Sequence, residues 1–311
     1  MACVMKGFSV SDQQVQRCAS DELGVFDDVM WTQLGEWMKY DHHRCALASG
    51  VKRLIENAAR NEERLVGIYL GGSIAKGKER VDSDVDVLVV MDDVDWEKRR
   101  QRKDVSFIWF DVLKGWDGYL EGRYLPEGYV RELLERGSEP ARNGFVGAKL
   151  VWGEAVCAEG DVGELVKRYP EEDVERKAAS FMAQLQGYRW SFWHEAMRME
   201  DVYLLSKSAL EVVTFAGRLV LLENRVLFQC HKQMMRLVGG VVNKPTDFEK
   251  KAERLLRELS DDAMRDFYDG LLKWWGEKGG RGELESNEMV AVFQLDCEMS
   301  WFTGTHAVSD L

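Results

Sequence analysis

The stretch from Leu65 to Asp92, LVGIYLGGSIAKGKERVDSDVDVLVVMD, decides the reading of this chain. Its apolar run Leu65 to Leu70 predicts a buried strand ending in Gly71-Gly72-Ser73, and the β-branched run Val85 to Val90 predicts a second strand directly after Asp82-Ser83-Asp84. Side chains alternate across a strand, so Asp84 and Asp86 project from one face. Two carboxylates held that close repel each other unless a cation joins them, and hard oxygen ligands favour Mg2+ or Mn2+. The glycine turn has a complementary chemistry. With no side chain in the way, its backbone N–H groups can approach phosphate oxygens, and the Ser73 hydroxyl adds a donor.

Working outward, Leu47, Val51, Leu54, Ile55 and Ala58 fall on one face at helical spacing and predict a helix leading into the first strand. The cluster Asp41-His42-His43-Arg44-Cys45 is metal-like in composition, but adjacent residues point to different sides, so it reads as the start of that helix. Residues 1–40 show no period and are expected to form an arm. After the second strand a charged helix runs through Arg102, and Val105 to Val112 predicts a third strand holding one acid, Asp111. Gly115 to Gly147 reads as loops and a helix opened by Pro126. Gly147 to Glu154 closes the sheet as a short strand carrying Lys149, and a linker ends this domain near residue 155.

The second half changes period from two to between three and four. Val174, Ala178, Phe181, Leu185, Tyr188 and Phe192 form one stripe, and Val202, Leu205, Ala209, Val212, Ala216 and Leu219 form another, with a turn at Met199 to Asp201. Thr246-Asp247-Phe248-Glu249 has the form of a capping box, Ser260 opens the next helix, and Ser286 to Trp301 reads as the last. The fold class is therefore α+β: a small mixed-sheet domain over 41–155, then an all-α helical bundle over 156–311.

A net charge of −12 argues against a protein that works by neutralising nucleic-acid phosphates, and it suits a cationic or neutral partner. The cysteines Cys3, Cys18, Cys45, Cys157, Cys230 and Cys297 show no zinc-ligand spacing and read as reduced thiols of a cytoplasmic protein. The N-terminal residues are too weakly apolar for a signal peptide, and the greasiest run, Leu210 to Leu222, is broken by Glu211 and Arg218, so no membrane span is expected.

Gly72-Ser73, ten intervening residues and Asp84-Val85-Asp86, with Ala75, Gly77 and Ser83 between them, resemble the signature of the DNA polymerase β-like nucleotidyltransferase superfamily, in particular its small bacterial antibiotic-modifying members. The resemblance implies an enzyme with two Mg2+ ions, Mn2+ being an alternative, that moves a nucleoside monophosphate, AMP above all, from a nucleoside triphosphate to a hydroxyl of a small molecule. It implies a third metal-binding carboxylate on a neighbouring strand, for which Asp111 is the candidate beside Asp84 and Asp86. It also gives Gly72 and Ser73 to the triphosphate, and Lys149 either to a phosphate or to a solvated sheet edge. Some members of this superfamily draw an acceptor-side glutamate base from the helical domain. Continuing the first stripe from Phe192 lands on Glu195, with Asp201 in reserve; a stripe drifts roughly 20° per heptad on a straight helix, which would instead turn Glu195 to solvent. Arg225 and His231 match the loose spacing of HEPN ribonucleases, so a toxin–antitoxin module that adenylylates protein or cuts RNA is the alternative reading.

Overall fold

The computed structural model describes residues 24–304. The chain divides into two compact units, one of residues up to 137 together with 144–168, the other of 138–143 together with residues from 169 onward. The expected boundary near residue 155 therefore moves to 168. Residues 156–168 are held in the first unit because Val162 and Val166 are buried, the Val156 N–H bonds the Tyr69 hydroxyl at 3.2 Å, and the Gly147 N–H bonds the Gly163 carbonyl at 2.9 Å.

The first unit is a five-stranded mixed sheet with helices. In chain order it has α1 (Asp28–Trp37), α2 (Asp41–Arg60), β1 (Leu65–Leu70), the one-turn α3 (Gly72–Ala75), β2 (Val85–Met91), α4 (Asp93–Arg102), β3 (Ser106–Trp109), β4 (Leu120–Pro126) and α5 (Glu127–Arg136). After α6 (Glu139–Phe145), which spans the crossing between units, come β5 (Lys149–Gly153) and α7 (Val162–Leu165). The strand order is β3-β4-β2-β1-β5. β1 pairs antiparallel with β2 and β5, whereas β2 and β4 run parallel, joined through α4 and β3. Leu34 and Met38 at and beyond α1 are fully buried in the same core as α2 and the sheet, so the described part of the expected arm belongs to the domain; residues 1–23 lie outside the described residues.

β4 is the element that the sequence reading passed over. Leu120-Glu121-Gly122-Arg123-Tyr124-Leu125-Pro126 contains a glycine and ends in proline, both ordinarily breakers. Yet Leu120 and Tyr124 alternate into the core, and Gly122 is small for a reason: a Cβ there would lie 2.7 Å from a Val87 methyl and 2.5 Å from Phe107 Cζ, so the glycine lets three strands pack side by side.

The second unit is helical: α8 (Val174–Gln186) runs through a π-turn (Gly187–Phe192) into α9 (Trp193–Met199), and then come α10 (Val202–Glu223), α11 (Met234–Gly240), α12 (Phe248–Glu258), α13 (Asp261–Glu277), α14 (Ser286–Asp296) and α15 (Ser300–Thr303). α10 is buried from Val212 to Leu222 and forms the axis of the core. The turn expected at Met199–Asp201 is present; Glu200 takes the left-handed conformation and Asp201 caps α10 by accepting from the Leu204 N–H at 3.1 Å. The capping box at Thr246 is not formed. α12 starts at Phe248 after Asp247 in the left-handed conformation, and Glu249 reaches back to Lys244 Nζ at 2.6 Å instead. The last predicted helix is split at Cys297.

Segment 138–143 joins this helical core through one carboxylate. Glu139, buried, accepts from the Tyr169 hydroxyl at 2.6 Å, Lys177 Nζ at 3.0 Å and the Phe228 N–H at 2.7 Å, and Arg218 Nη2 stands 3.6 Å away, stacked on Phe181 and Phe228. A buried acid with several donors and two cations is satisfied, so this cluster is cohesive.

Candidate active site

Asp84 and Asp86 leave the same face at the start of β2, as the alternation requires, and β4 brings Glu121 to the position directly beside Asp86 in the parallel ladder. One carboxylate oxygen from each of Asp84, Asp86 and Glu121 lies within 4.8 Å of the other two, all three residues half-buried. Crowding has an electrostatic consequence. Burial, then the charge of Asp84, then the hydrogen bond and charge of Glu121 push the Asp86 carboxyl up to about 7, and only the weaker influence of Arg123 works the other way. Three hard oxygen donors at mutual ligand distance, one of them reluctant to ionise without a counter-charge, fit a Mg2+ or Mn2+ ion.

The glycine turn adjoins these acids. The Gly71 N–H bonds the Asp86 carbonyl at 2.9 Å, and Gly72 begins α3 with φ +63°, where a Cβ would lie 1.6 Å from Asp86 Oδ2. A side chain at 72 would thus displace a cluster carboxylate as well as occupy the approach to the turn. Ser73 Oγ lies 3.4 Å from Ser83 Oγ, and Ser83 Oγ also accepts from the Arg80 N–H at 2.9 Å, closing the loop between the glycines and Asp84 on itself. The same loop is pinned to the helices by Glu79, which accepts from His43 Nδ1 and from the Lys39 N–H, both at 2.5 Å, inside the protein. His43 is therefore more than a residue in the first turn of α2: it anchors the loop that joins turn and acids. The sequence gives no hint of that contact, because the partners stand 36 residues apart.

Other expected site residues lie elsewhere. Asp111 follows the end of β3 with a side chain 77% exposed and an ion pair to Arg53 at 2.8 Å, which draws its carboxyl below the usual range; the third carboxylate of the cluster is Glu121, not Asp111. Glu195 sits on the open face of α9 paired with Arg198 at 2.5 Å, its carboxyl likewise lowered. The physical reason is the π-turn, whose wider winding shifts the stripe so that Trp193 and Ala196, rather than Glu195, are the buried residues. Asp201 is occupied as a helix cap. Lys149 lies opposite Leu70 on the edge strand with Asp161 and Glu164 at 3.8 and 3.9 Å, in surface ion pairs. Arg225 takes a left-handed conformation beyond α10 and binds Glu171 at 2.8 Å, while the ring of His231 packs edge-on against Phe228.

Residues 51–117 match the family model of the nucleotidyltransferase domain. That match ends four positions short of Glu121. No curated protein matches the chain. Among solved structures, the crystal structure of a nucleotidyltransferase-like protein from Exiguobacterium sibiricum 255-15 is similar over 79% of this chain and 77% of that one, with 13% identity and a TM-score of 0.42. Among the described residues, no helix is long and apolar enough to cross a membrane.

Proposed function

We propose that this chain, whose residues 51–117 match the family model of the nucleotidyltransferase domain, transfers a nucleoside monophosphate, AMP in the first instance, from a triphosphate to a hydroxyl of a small molecule. The observation that supports this most is the convergence of Asp84, Asp86 and Glu121 beside the Gly71-Gly72-Ser73 turn. Asp84, Asp86 and Glu121 would hold the divalent cations, which when bound supply positive charge to the reacting phosphate and to the attacking oxygen. The residues of the chain do the rest. The turn orients the triphosphate with backbone N–H groups and the Ser73 hydroxyl, and the pinned loop fixes the spacing between that turn and the acids. In the transfer the acceptor oxygen bonds the α-phosphorus, pyrophosphate departs, and the hydroxyl proton passes to a carboxylate of the cluster.

Incubation with triphosphates labelled at the α-phosphate tests the reading directly. Label should move to an organic acceptor from cell extract only with Mg2+ or Mn2+ present, and chelation should stop it. Transfer that survives chelation, or an Asp84→Asn variant as active as the parent, defeats the proposal. The ribonuclease alternative gains no support from Arg225, which is engaged with Glu171.

A further inference from the structure

β3 is an edge strand whose two faces differ in use. Phe107 and Trp109 stand opposite Gly122 and Leu120 and pack into the core of the first unit. Ile108 stands opposite Glu121, and cross-strand partners share a face, so Ile108 projects on the side of the sheet that carries Asp86 and Glu121. It is 54% exposed. Two residues on, Phe110 is 68% exposed, with its ring 5.4 Å from that of Tyr119, whose hydroxyl lies close enough to Asp84 for that carboxylate to push it up to about 12. Ile108, Phe110 and Tyr119 therefore line the carboxylate cluster with an apolar shelf open to solvent.

The shelf lies on a defined side. The Gly71-Gly72-Ser73 turn follows β1, on one flank of β2, while β4 and β3 lie on the other flank. Phosphates held at the turn lie on the β1 flank, away from β3. The shelf is also held firmly: Arg53 of α2 places its guanidinium 4.2 Å over the Trp109 ring and bonds Asp111 at 2.8 Å, gripping the residues on both sides of Phe110. Fixing two large apolar side chains against water beside a polar reaction centre serves neither the core nor solubility.

We propose that this shelf binds the acceptor, which therefore carries its hydroxyl next to an aromatic ring. The proposal rests on the nucleotidyl-transfer reading and names the substrate class of the same site. The ring lies on Phe110 and Ile108 while the hydroxyl reaches the carboxylates. Its oxygen forms the bond to the α-phosphorus, the bond from that phosphorus to the bridging oxygen breaks, and pyrophosphate leaves with the electron pair as a cluster carboxylate takes the proton.

Protein labelled with 13C at the isoleucine methyl groups, saturated with Mg2+ and a non-hydrolysable triphosphate, can be titrated with 2-phenylethanol and separately with glycerol. The Ile108 methyl signal should shift saturably with 2-phenylethanol and remain still with glycerol; Phe110→Ser should weaken that response about fivefold or more, and Ile108→Ser should weaken 2-phenylethanol binding to the same extent when followed by calorimetric titration. An unmoved Ile108 signal, an equal response to glycerol, or parental affinity in both variants overturns the proposal. So does an Ile108 signal that shifts on dilution without alcohol while Phe110→Ser turns a dimer into a monomer, because the shelf then serves a second copy of the chain. Triphosphate binding with no response at Ile108 removes the shelf alone, whereas a response at Ile108 in a protein that binds no triphosphate with Mg2+ removes the transfer reading and the acceptor role with it.

Discussion

Asp86 on β2 and Glu195 on α9 are both carboxylates that periodicity singles out, and the protein treats them in opposite ways. Asp86 is crowded by Asp84 and Glu121 and pushed up to about 7; Glu195 lies in the open, paired with Arg198 and lowered. A strand repeats every two residues without drift, so Asp84 and Asp86 must share a face wherever β2 begins. A helical stripe holds only while the winding is regular. One π-turn at Gly187–Phe192 is enough to send Glu195 outward. Repulsion among acids that the fold does not relieve marks a site; an acid already neutralised by its neighbour marks a surface.

Removing charge from each region should separate them most sharply. Asp84→Asn and Asp86→Asn should each lower metal-dependent transfer on the order of a thousandfold, with folding intact by circular dichroism. Glu195→Gln should retain the parental rate and pH profile. A large loss in Glu195→Gln, or none in Asp86→Asn, would invert the contrast.

The same contrast can be posed within the first unit. Glu121→Gln should cost at least about a hundredfold in rate, and the Mg2+ concentration for half-maximal activity should rise. Asp111→Asn removes only a surface ion pair to Arg53 and should leave the metal requirement where it was, as steady-state assays across a Mg2+ series can establish.

A smaller effect concerns stability and its pH dependence. The unfolded chain ionises Asp86 near 3.8 and the folded one only near 7, so the folded state binds the extra proton between those values and loses stability as pH rises through that window. Without divalent cation, Asp86→Asn should melt at the parental temperature near pH 4 and above it at pH 8, and added Mg2+ should stabilise the parent more at pH 8 than at pH 5. Calorimetry at the three pH values measures both. A parent that melts higher than Asp86→Asn at pH 8 without metal would contradict the crowding.

On stability alone, Gly72→Ala should cost about 1–3 kcal/mol through its positive φ and the contact with Asp86 Oδ2. Sequence alone suggests that a side chain at this turn would impair nucleotide binding and little else; a thermal melt decides between the two.

What could be read from the sequence followed from local rules. Strands β1, β2, β3 and β5, the α2 helix and the Asp84–Asp86 pair are each fixed by a pattern contained in fewer than about twenty residues. Glu121 escaped because its strand ends in Pro126 and includes Gly122, a residue kept by the close approach of Val87 and Phe107 rather than by a turn. The His43–Glu79 contact escaped for a related reason: a hydrogen bond across 36 residues leaves no trace in spacing. Thr246 matched a capping pattern, yet Lys244 competes for Glu249. In each case a contact from outside the window changed the outcome.

Segment 138–143 carries one more consequence, for the order in which the chain becomes protein. The polypeptide passes between its two units at 137/138, 143/144 and 168/169, so neither unit is a continuous stretch. Glu139 leaves the ribosome well before Lys177 and Arg218, the buried cations it neutralises. The helical unit is thus a piece of work finished by an early-made part, and residues from 169 onward produced on their own would lack the carboxylate that buried Lys177 binds at 3.0 Å, a defect of about 3–5 kcal/mol.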